Sequence, residues 1–192
     1  MIDLEPVVEP RVAPGDMALA TQQIRRCVGP SEFAARFEDL IVDGSAALNR
    51  THRPGHLTGS AFVVSADRTR CLMMFHTKLQ RWLQPGGHAD GDGNLANVAL
   101  REASEETGID GLQVFEPAID LDVHEVDPPA EDSHLHFDVR FLVLALPDVV
   151  LVGNHESEAL RWVAFDDLAE LGVDDGLLRM VRVSRGALRQ LR

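Results

Sequence analysis

The chain has 192 residues, of which 45% are hydrophobic and 26% charged, and its net charge is −13 at pH 7. This balance is ordinary for a globular domain with a sizeable core. The negative charge argues against binding to a nucleic acid duplex, which needs a basic surface. The apolar runs are shorter than the roughly 18 residues that a membrane span needs. Two cysteines are too few for a disulfide framework and fit a reducing cytoplasm.

The N-terminal quarter of the chain has no strand pattern. Residues 1–14 carry three prolines and no periodicity, which predicts a flexible arm. Residues 15–58 form a helical leader, in which Asp16 and Ser31 are candidate N-caps. Apolar residues of its second helix recur at helical spacing: Phe33, Phe37, Leu40 and Ile41. We expect this leader to pack on the core. Covering a pocket and building a homodimer are further roles, between which the sequence does not choose.

Strand patterns begin at Gly59 and define a domain over residues 59–173. Alternation and β-branched content predict strands at residues 60–65, 71–76, 82–84, 112–115, 118–125, 134–145 and 160–164. Residues 174–192 are predicted to form a C-terminal helix of the same domain. One of its faces carries arginines: Arg179, Arg182, Arg185, Arg189 and Arg192. A solvated face is the simpler interpretation, and contact with an acidic neighbouring subunit is the alternative.

A glycine-rich loop leading into an acidic helix, residues 86–109, lies at the centre of this domain. Asn94 is a candidate N-cap, and Gly108 is a candidate stop, because glycine tolerates the left-handed conformation. Three glutamates lie at i, i+3 and i+4 and share one helix face: Glu102, Glu105 and Glu106. By periodicity alone this face fits a solvated surface or a site for Mg²⁺ or Mn²⁺, which prefer oxygen ligands.

The full spacing of this stretch resembles the Nudix box, in which a glycine is followed by a glutamate and then by the run Arg-Glu-hydrophobic-x-Glu-Glu-x-Gly-hydrophobic. The matching residues are Gly87, Arg101, Glu102, Ala103, Glu105, Glu106, Gly108 and Ile109. One position departs from the pattern, since Gly93 stands where the family has its first glutamate. The neighbouring Asp92 is one residue out of register.

The resemblance implies a fold, an activity and a set of site residues. The fold is α/β, an α/β/α sandwich around a mixed sheet, here with an N-terminal helical extension. The activity is metal-dependent hydrolysis of a phosphoanhydride bond in a small, nucleotide-like substrate in which a nucleoside diphosphate is linked to another group. Gly87, Glu102, Glu105 and Glu106 would hold Mg²⁺ or Mn²⁺. Arg101, Glu102 and Glu105 would serve catalysis, with Arg101 pairing with a carboxylate to fix its rotamer.

The departure at Gly93 leaves alternatives open. The rate is lowered, or Asp90 or Asp92 substitutes for the missing carboxylate, or the chain is a catalytically weak or inactive nucleotide-binding or regulatory module. If the site is only weakened, a glutamate at position 93 is expected to raise the rate. Isomerisation of an isoprenoid diphosphate, known on a related fold, requires a catalytic cysteine. Cys71 lies on a predicted strand and Cys27 in the leader, so this hypothesis ranks last.

A second group of polar residues comes from two predicted strands. Period-two alternation places on one face of the longer strand His134, His136, Asp138 and Arg140. The preceding strand contributes Asp120, Asp122 and His124. If the strands pair as a hairpin, these faces meet. They then form either the wet side of an antiparallel pair, or a substrate wall or extra metal site in which Arg140 holds a phosphate.

Three further residues are candidates for contact with the substrate. His88 follows the box glycine and either reaches the phosphates or stabilises the loop. Glu156 and Glu158 precede the last predicted strand. Because several Nudix enzymes recruit a glutamate from outside the box, these two are candidates for an additional ligand or general base.

Overall fold

The computed structural model describes residues 4–30, 32–127 and 132–189. The helices are α1 (Met17–Arg25), α2 (Ala34–Ile41), α3 (Leu95–Thr107) and α4 (Asp175–Leu188), with 3₁₀ turns at Gly44–Leu48 and Leu168–Leu171. The strands are β1 (Glu5–Pro6), β2 (Gly55–Val64), β3 (Arg70–His76), β4 (Arg81–Leu83), β5 (Gly86–His88), β6 (Gln113–Val126), β7 (His134–Leu144) and β8 (Ser157–Ala164). Within these ranges no helix is long and apolar enough to cross a lipid bilayer.

The strands form one mixed sheet. Its path is β1-β6-β7-β2-β3-β4, with β5 added to β2 and β8 added to β3. The central pair, β2 and β7, is parallel and ten residues long, whereas the other pairs are antiparallel. The central strands are buried on both faces, so polar residues within them are shielded from water.

Alternate residues of β2 enter two different cores. Leu57, Ala61 and Val63 pack with the helix α3 side of the sheet. Phe62 and Val64 pack on the opposite side with residues of α4. A Cβ atom on Gly59 would lie 2.8 Å from the Leu95 carbonyl oxygen, so glycine permits the close approach of α3. Helices cover both faces, which confirms the predicted α/β/α sandwich.

The ends of α3 agree with the sequence prediction. The Asn94 side chain accepts a hydrogen bond from the Asn97 amide at 3.2 Å, as an N-cap does. Gly108 closes the helix in the left-handed conformation with φ +65°. Both signals are local, and a short stretch of sequence suffices to predict them.

The segment before α1, predicted to be a flexible arm from its proline content, is attached to the domain by hydrogen bonds. Glu5–Pro6 pairs with β6, and the Ala13 amide donates to Asp92 at 2.8 Å. Asp16 caps α1 as predicted, accepting from the Leu19 amide at 3.0 Å. The other predicted cap, Ser31, lies outside the described residues, as does part of the 126–133 loop. Backbone pairing therefore attaches residues 4–14 to the domain, although prolines interrupt any periodic pattern there.

Two strands and one helix face differ from the prediction. β2 starts at Gly55, four residues before the predicted domain boundary. β6 is a single strand with an irregular register between Phe115 and Asp120, where the sequence suggested two strands. Arg179 does not face solvent, because its guanidinium turns inward onto two aspartates of β6. Arg185 is half-exposed beside Asp166, as a solvated face requires, and Arg192 lies outside the described residues.

Candidate active site

The glycine loop and α3 meet at Gly87. β5 runs antiparallel to β2, with Gly87 opposite Gly59. A Cβ atom on Gly87 would lie 2.4 Å from the Glu102 carboxyl carbon and 2.5 Å from its Oε1 atom. Glycine at this position therefore allows a carboxylate of α3 to rest directly on the backbone of the loop.

Arg101 connects the same carboxylate to the loop. Its Nη1 atom lies 2.7 Å from Glu102 Oε1 and 3.7 Å from Glu105 Oε2. Its Nη2 atom donates to the His88 carbonyl at 3.2 Å. The Glu102 side chain is largely buried, whereas that of Glu105 is 59% exposed. This pairing is the one expected for Arg101, and it restricts the rotamer of Glu102.

Glu106 is the most deeply buried carboxylate of the box. It is 2% exposed and accepts a hydrogen bond from the Gly86 amide at 3.0 Å. Burial raises the pKa of Glu106 to about 8, and the nearby charges of Glu102 and Glu156 add to this rise. Burial also raises the pKa of Glu102, against the opposing charge of Arg101. A single arginine therefore offsets the charge of several crowded carboxylates.

Glu156 joins this group from a loop near the end of the chain. Its carboxyl group lies close enough to that of Glu106 to raise the Glu106 pKa. The loop is fixed to α3, since Asn154 Nδ2 donates to the Glu105 carbonyl at 3.2 Å and the Val152 amide to the Thr107 carbonyl at 2.8 Å. Glu158 points elsewhere, because its carboxylate accepts from Gln80 Nε2 at 2.7 Å on the exposed edge. Of the two glutamates predicted outside the box, the structure brings one to the site.

The donor set fits a hard divalent cation. Glu102 lies against Gly87, Glu106 accepts from the Gly86 amide, and Glu156 lies near Glu106, with Glu105 at the exposed rim. Mg²⁺ and Mn²⁺ prefer such carboxylate and carbonyl oxygens. A positive ion between neighbouring carboxylates relieves their mutual repulsion and favours their ionised form.

Backbone atoms of the leader lie where a side chain at position 93 would have to be placed. A Cβ atom on Gly93 would lie 2.1 Å from the Asp16 carbonyl oxygen and 2.6 Å from its carbonyl carbon. The Gly93 amide also donates to the Ala13 carbonyl at 2.8 Å. Backbone therefore occupies the space that a side chain at position 93 would need. The prediction that Gly93→Glu raises the rate of a weakened site therefore also requires the leader or the loop to move.

Neither neighbouring aspartate takes over that role in this structure. Asp92 Oδ1 accepts from the amides of Ala13 (2.8 Å) and Asn94 (2.9 Å), and its Oδ2 atom accepts from Asn97 Nδ2 at 2.8 Å. Asp90 forms an exposed ion pair with Arg50. Asp92 thus joins the N-terminal segment to the start of α3, and Asp90 pairs with Arg50 at an exposed position of the loop.

Five histidines gather on the sheet face opposite α3. Strand register places His136 between His56 and His124, and His134 lies two residues away on the same face. The ring of His88 lies 5.1 Å from the rings of both His56 and His136. Burial and the neighbouring imidazoles lower the pKa of His56 to about 4 and that of His136 to about 2. Both rings are therefore neutral near pH 7.

His56 is the member of this cluster that sequence reasoning missed, because it was assigned to the leader. The available signal was alternation: His56, Thr58 and Ser60 occupy one face of β2, and Leu57 and Ala61 the other. This polar-apolar alternation continues upstream of Gly59, where the domain was predicted to begin.

Arg140 is engaged in a buried ion network next to the histidines. Its Nε, Nη1 and Nη2 atoms donate to Asp138 (2.8 Å), Asp120 (3.1 Å) and Asp122 (3.0 Å). Arg179 of α4 binds two of the same aspartates, Asp120 and Asp122. Burial tends to raise the pKa of Asp122, but His124 and the arginines outweigh it and hold that pKa well below its usual range. Arg140 is 2% exposed, so this geometry argues against the predicted phosphate contact.

The two cysteines do not resemble nucleophiles. Burial raises the pKa of Cys27 to about 11 and that of Cys71 to about 12. Thiols of this kind are almost fully protonated at neutral pH. The isomerase hypothesis therefore gains no support from either residue.

Two curated proteins match part of the sequence. A putative 8-oxo-dGTP diphosphatase 3 from Mycobacterium tuberculosis is 32% identical over 119 residues, which cover 57% of this chain and 52% of that protein. The phosphatase NudJ from Escherichia coli is 29% identical over 91 residues, covering 46% of this chain and 55% of that protein. The chain spans about half the length of the curated relatives it matches.

Solved structures share the fold at low sequence identity. An Ap4A hydrolase from C. elegans superposes with a TM-score of 0.53 at 16% identity, covering 70% of this chain and 98% of the other. The Nudix domain of Shewanella oneidensis NrtR, crystallised with ADP ribose, superposes with a TM-score of 0.52 at 17% identity. The superposition covers 69% of this chain and 87% of the other. The family model described as NUDIX domain matches residues 56–182. Because that match spans more than half of the chain and contains the entire box, the chain belongs to the Nudix family.

Proposed function

We propose that this chain hydrolyses a phosphoanhydride bond in a nucleoside-diphosphate-linked small molecule, using Mg²⁺ or Mn²⁺. The observation that carries the proposal is that Glu102 and Glu106 meet the backbone of Gly87 and Gly86, with Glu156 near Glu106. The nucleotide class is supported by the names of similar proteins, which include a putative 8-oxo-dGTP diphosphatase and an Ap4A hydrolase. A cytoplasmic location belongs to the same proposal, supported by two unpaired cysteines.

The roles of the residues follow from their positions. A bound divalent ion would neutralise phosphate charge and would lower the pKa of the water molecule that it coordinates. Glu102 and Glu106, buried beside the loop, would hold that ion together with Glu156. Arg101 keeps Glu102 oriented through its 2.7 Å contact. Glu105 is the most exposed carboxylate of the four and is our candidate to accept the proton of the attacking water.

The test is a product screen with two matched variants. Nucleoside triphosphates, dinucleotides, nucleotide sugars and coenzyme A are incubated with Mg²⁺ and with Mn²⁺, and products are identified by mass spectrometry. Glu102→Gln is expected to lower kcat by roughly 10²–10³-fold, the loss typical for a preorganised charge at a reaction centre. Glu170→Gln, a change on the exposed 3₁₀ turn, should leave kcat unchanged. Equal rates for Glu102→Gln and the wild type would refute the proposed site.

A second candidate function is nucleotide binding without efficient turnover. It is favoured by Gly93, because the Asp16 backbone fills the space of the family's glutamate. Calorimetric titration with the same nucleotides in the presence of Mg²⁺ separates the two candidates. Saturable binding without any released product supports the binding module, whereas turnover excludes it.

A further inference from the structure

The histidine cluster contains buried polar atoms that hydrogen bonding does not explain. His56 is 0% exposed, and among the described residues neither of its ring nitrogens makes a hydrogen bond of good geometry, although the His52 backbone lies close enough to interact with the ring. The Nε2 atom of His136 is likewise buried and unpaired in the described part of the chain. Buried polar groups are normally satisfied by protein, water or a ligand. These nitrogens therefore point to an additional binding partner.

The imidazoles are close enough to share one ion. One ring nitrogen from each of His56, His134 and His136 can be chosen so that all three lie within 4.8 Å of one another. Their ring centroids are 5.0, 5.0 and 5.3 Å apart. Zn²⁺ binds imidazole nitrogen at about 2.0–2.1 Å, which places tetrahedral ligand atoms roughly 3.4 Å apart. Binding would therefore require the rings to rotate so that these nitrogens approach by up to about 1.4 Å.

The proton on one of these rings is already directed away from the centre. His134 Nδ1 lies 2.7 Å from the Asp132 carbonyl oxygen. Because a carbonyl only accepts, Nδ1 carries the proton and Nε2 keeps its lone pair. Metal-binding histidines usually have this arrangement, in which the second nitrogen donates to an outer oxygen. His124 makes a similar contact with Asp122 at 3.0 Å, next to the three candidate ligands.

We propose that His56, His134 and His136 bind Zn²⁺, or a divalent metal ion of similar ligand preference, at a site separate from the box carboxylates. Imidazole suits Zn²⁺ and similar ions, whereas Mg²⁺ and Mn²⁺ favour oxygen. Strand β5 separates the two donor sets. Gly87 faces Glu102 on the α3 side, and His88 packs on His56 and His136 on the other side. Three protein ligands leave a fourth position for water or a further ligand.

Metal binding by the purified full chain tests this proposal directly. After chelation and dialysis, Zn²⁺ is titrated by calorimetry in millimolar Mg²⁺, and bound zinc is counted by mass spectrometry. We expect one Zn²⁺ per chain to resist Mg²⁺, and the same result for Glu102→Gln and for His155→Gln, whose side chain is 86% exposed. His136→Asn should weaken binding by more than about 100-fold, because even outer-shell changes cost about 10–100-fold.

Cobalt substitution of the wild-type chain keeps the test independent of how the variants fold. Four-coordinate Co²⁺ absorbs strongly in the visible range, whereas six-coordinate Co²⁺ in an oxygen site absorbs weakly. We expect the strong bands in excess Mg²⁺ and their loss when Zn²⁺ is added. Only weak bands, zinc that Mg²⁺ displaces, or unchanged zinc affinity in a folded His136→Asn variant would overturn the proposal.

Discussion

At the scale of single residues, Gly93 shows how one missing side chain connects two parts of the chain. The Asp16 carbonyl oxygen lies 2.1 Å from the position of a Cβ atom on residue 93. Contacts this short to backbone are not relieved by a side-chain rotation, so the leader or the loop must move. Position 93 therefore belongs to the interface between the leader and the box loop.

Replacing Gly93 measures the cost of that interface. Gly93→Ala is expected to destabilise the chain by about 1–3 kcal/mol, the usual cost of overpacking. Gly186→Ala is the control, because no described atom lies within 4 Å of its Cβ position and alanine favours a helix by up to about 1 kcal/mol. Urea unfolding followed by circular dichroism gives both values. A Gly93→Ala variant as stable as the control would show that the leader does not pack against the box loop.

At the scale of elements, the turn between β2 and β3 is organised by Asp67. Its Oδ1 atom accepts from Ser65 Oγ at 2.6 Å and from the amide and hydroxyl of Thr69 at 3.1 and 2.8 Å. These hydrogen bonds lower the pKa of Asp67 to about 2. The turn is thus stabilised by an ionised carboxylate.

The pH dependence of stability tests the role of this carboxylate. A pKa lower in the folded state than the unfolded value of about 3.9 stabilises the fold above about pH 4, and this contribution is lost as the pH falls toward 2. Asp67→Asn should therefore lose part of the decrease in melting temperature between pH 4 and pH 2. The exposed Asp110→Asn serves as the control. Identical pH profiles for wild type and Asp67→Asn would contradict the assignment.

The packing of α4 on the sheet depends on a buried ion network. Arg140 contacts three aspartates of β6 and β7, and Arg179 extends the network from the helix. Removing one partner of a buried pair leaves a charge without compensation. This network is therefore a structural connection between the sheet and α4.

Arg140→Met is expected to destabilise the chain by about 3–5 kcal/mol, because Asp138 and Asp120 lose a buried partner. Arg185→Met, which breaks a half-exposed pair with Asp166, should cost at most about 1 kcal/mol. Thermal unfolding of the two variants compares them directly. Equal losses would mean that water already screens the Arg140 network.

At the scale of the whole molecule, the proposed metal site would couple the stability of the fold to metal binding. An ion that binds only the folded state stabilises it by about 2.7 kcal/mol at a concentration 100 times its Kd. Glu106→Gln removes a carboxylate that must be protonated or buried as a charge beside Glu102 and Glu156 when the chain folds. We expect this variant to be more stable than wild type without metal and to gain less from Mg²⁺. Calorimetric melting with and without Mg²⁺ measures both effects, and an unchanged Mg²⁺ response would remove Glu106 from the ligand set.

The local features of the box were predictable from the sequence, and the composition of the site was only partly so. Helix α3 begins after Asn94 and ends at Gly108 as predicted, because capping depends on residues within a single turn. Glu156 and Glu158 were indistinguishable by pattern, yet only Glu156 meets Glu106. The arginine face of α4 was predicted to be solvated, and Arg179 contradicts this because its partners lie almost 60 residues away.

By itself the sequence determined the box spacing, the helix that carries the glutamates, and the polar alternation of the central strands. These properties depend on residues a few positions apart. The tertiary structure decided which polar groups meet, as where Thr58 donates to Asp138 across 80 residues. It also decided that His56 joins His134 and His136, and that the leader covers Gly93. Such contacts depend on strand order and register, which the burial of the whole sheet between two helical layers selects.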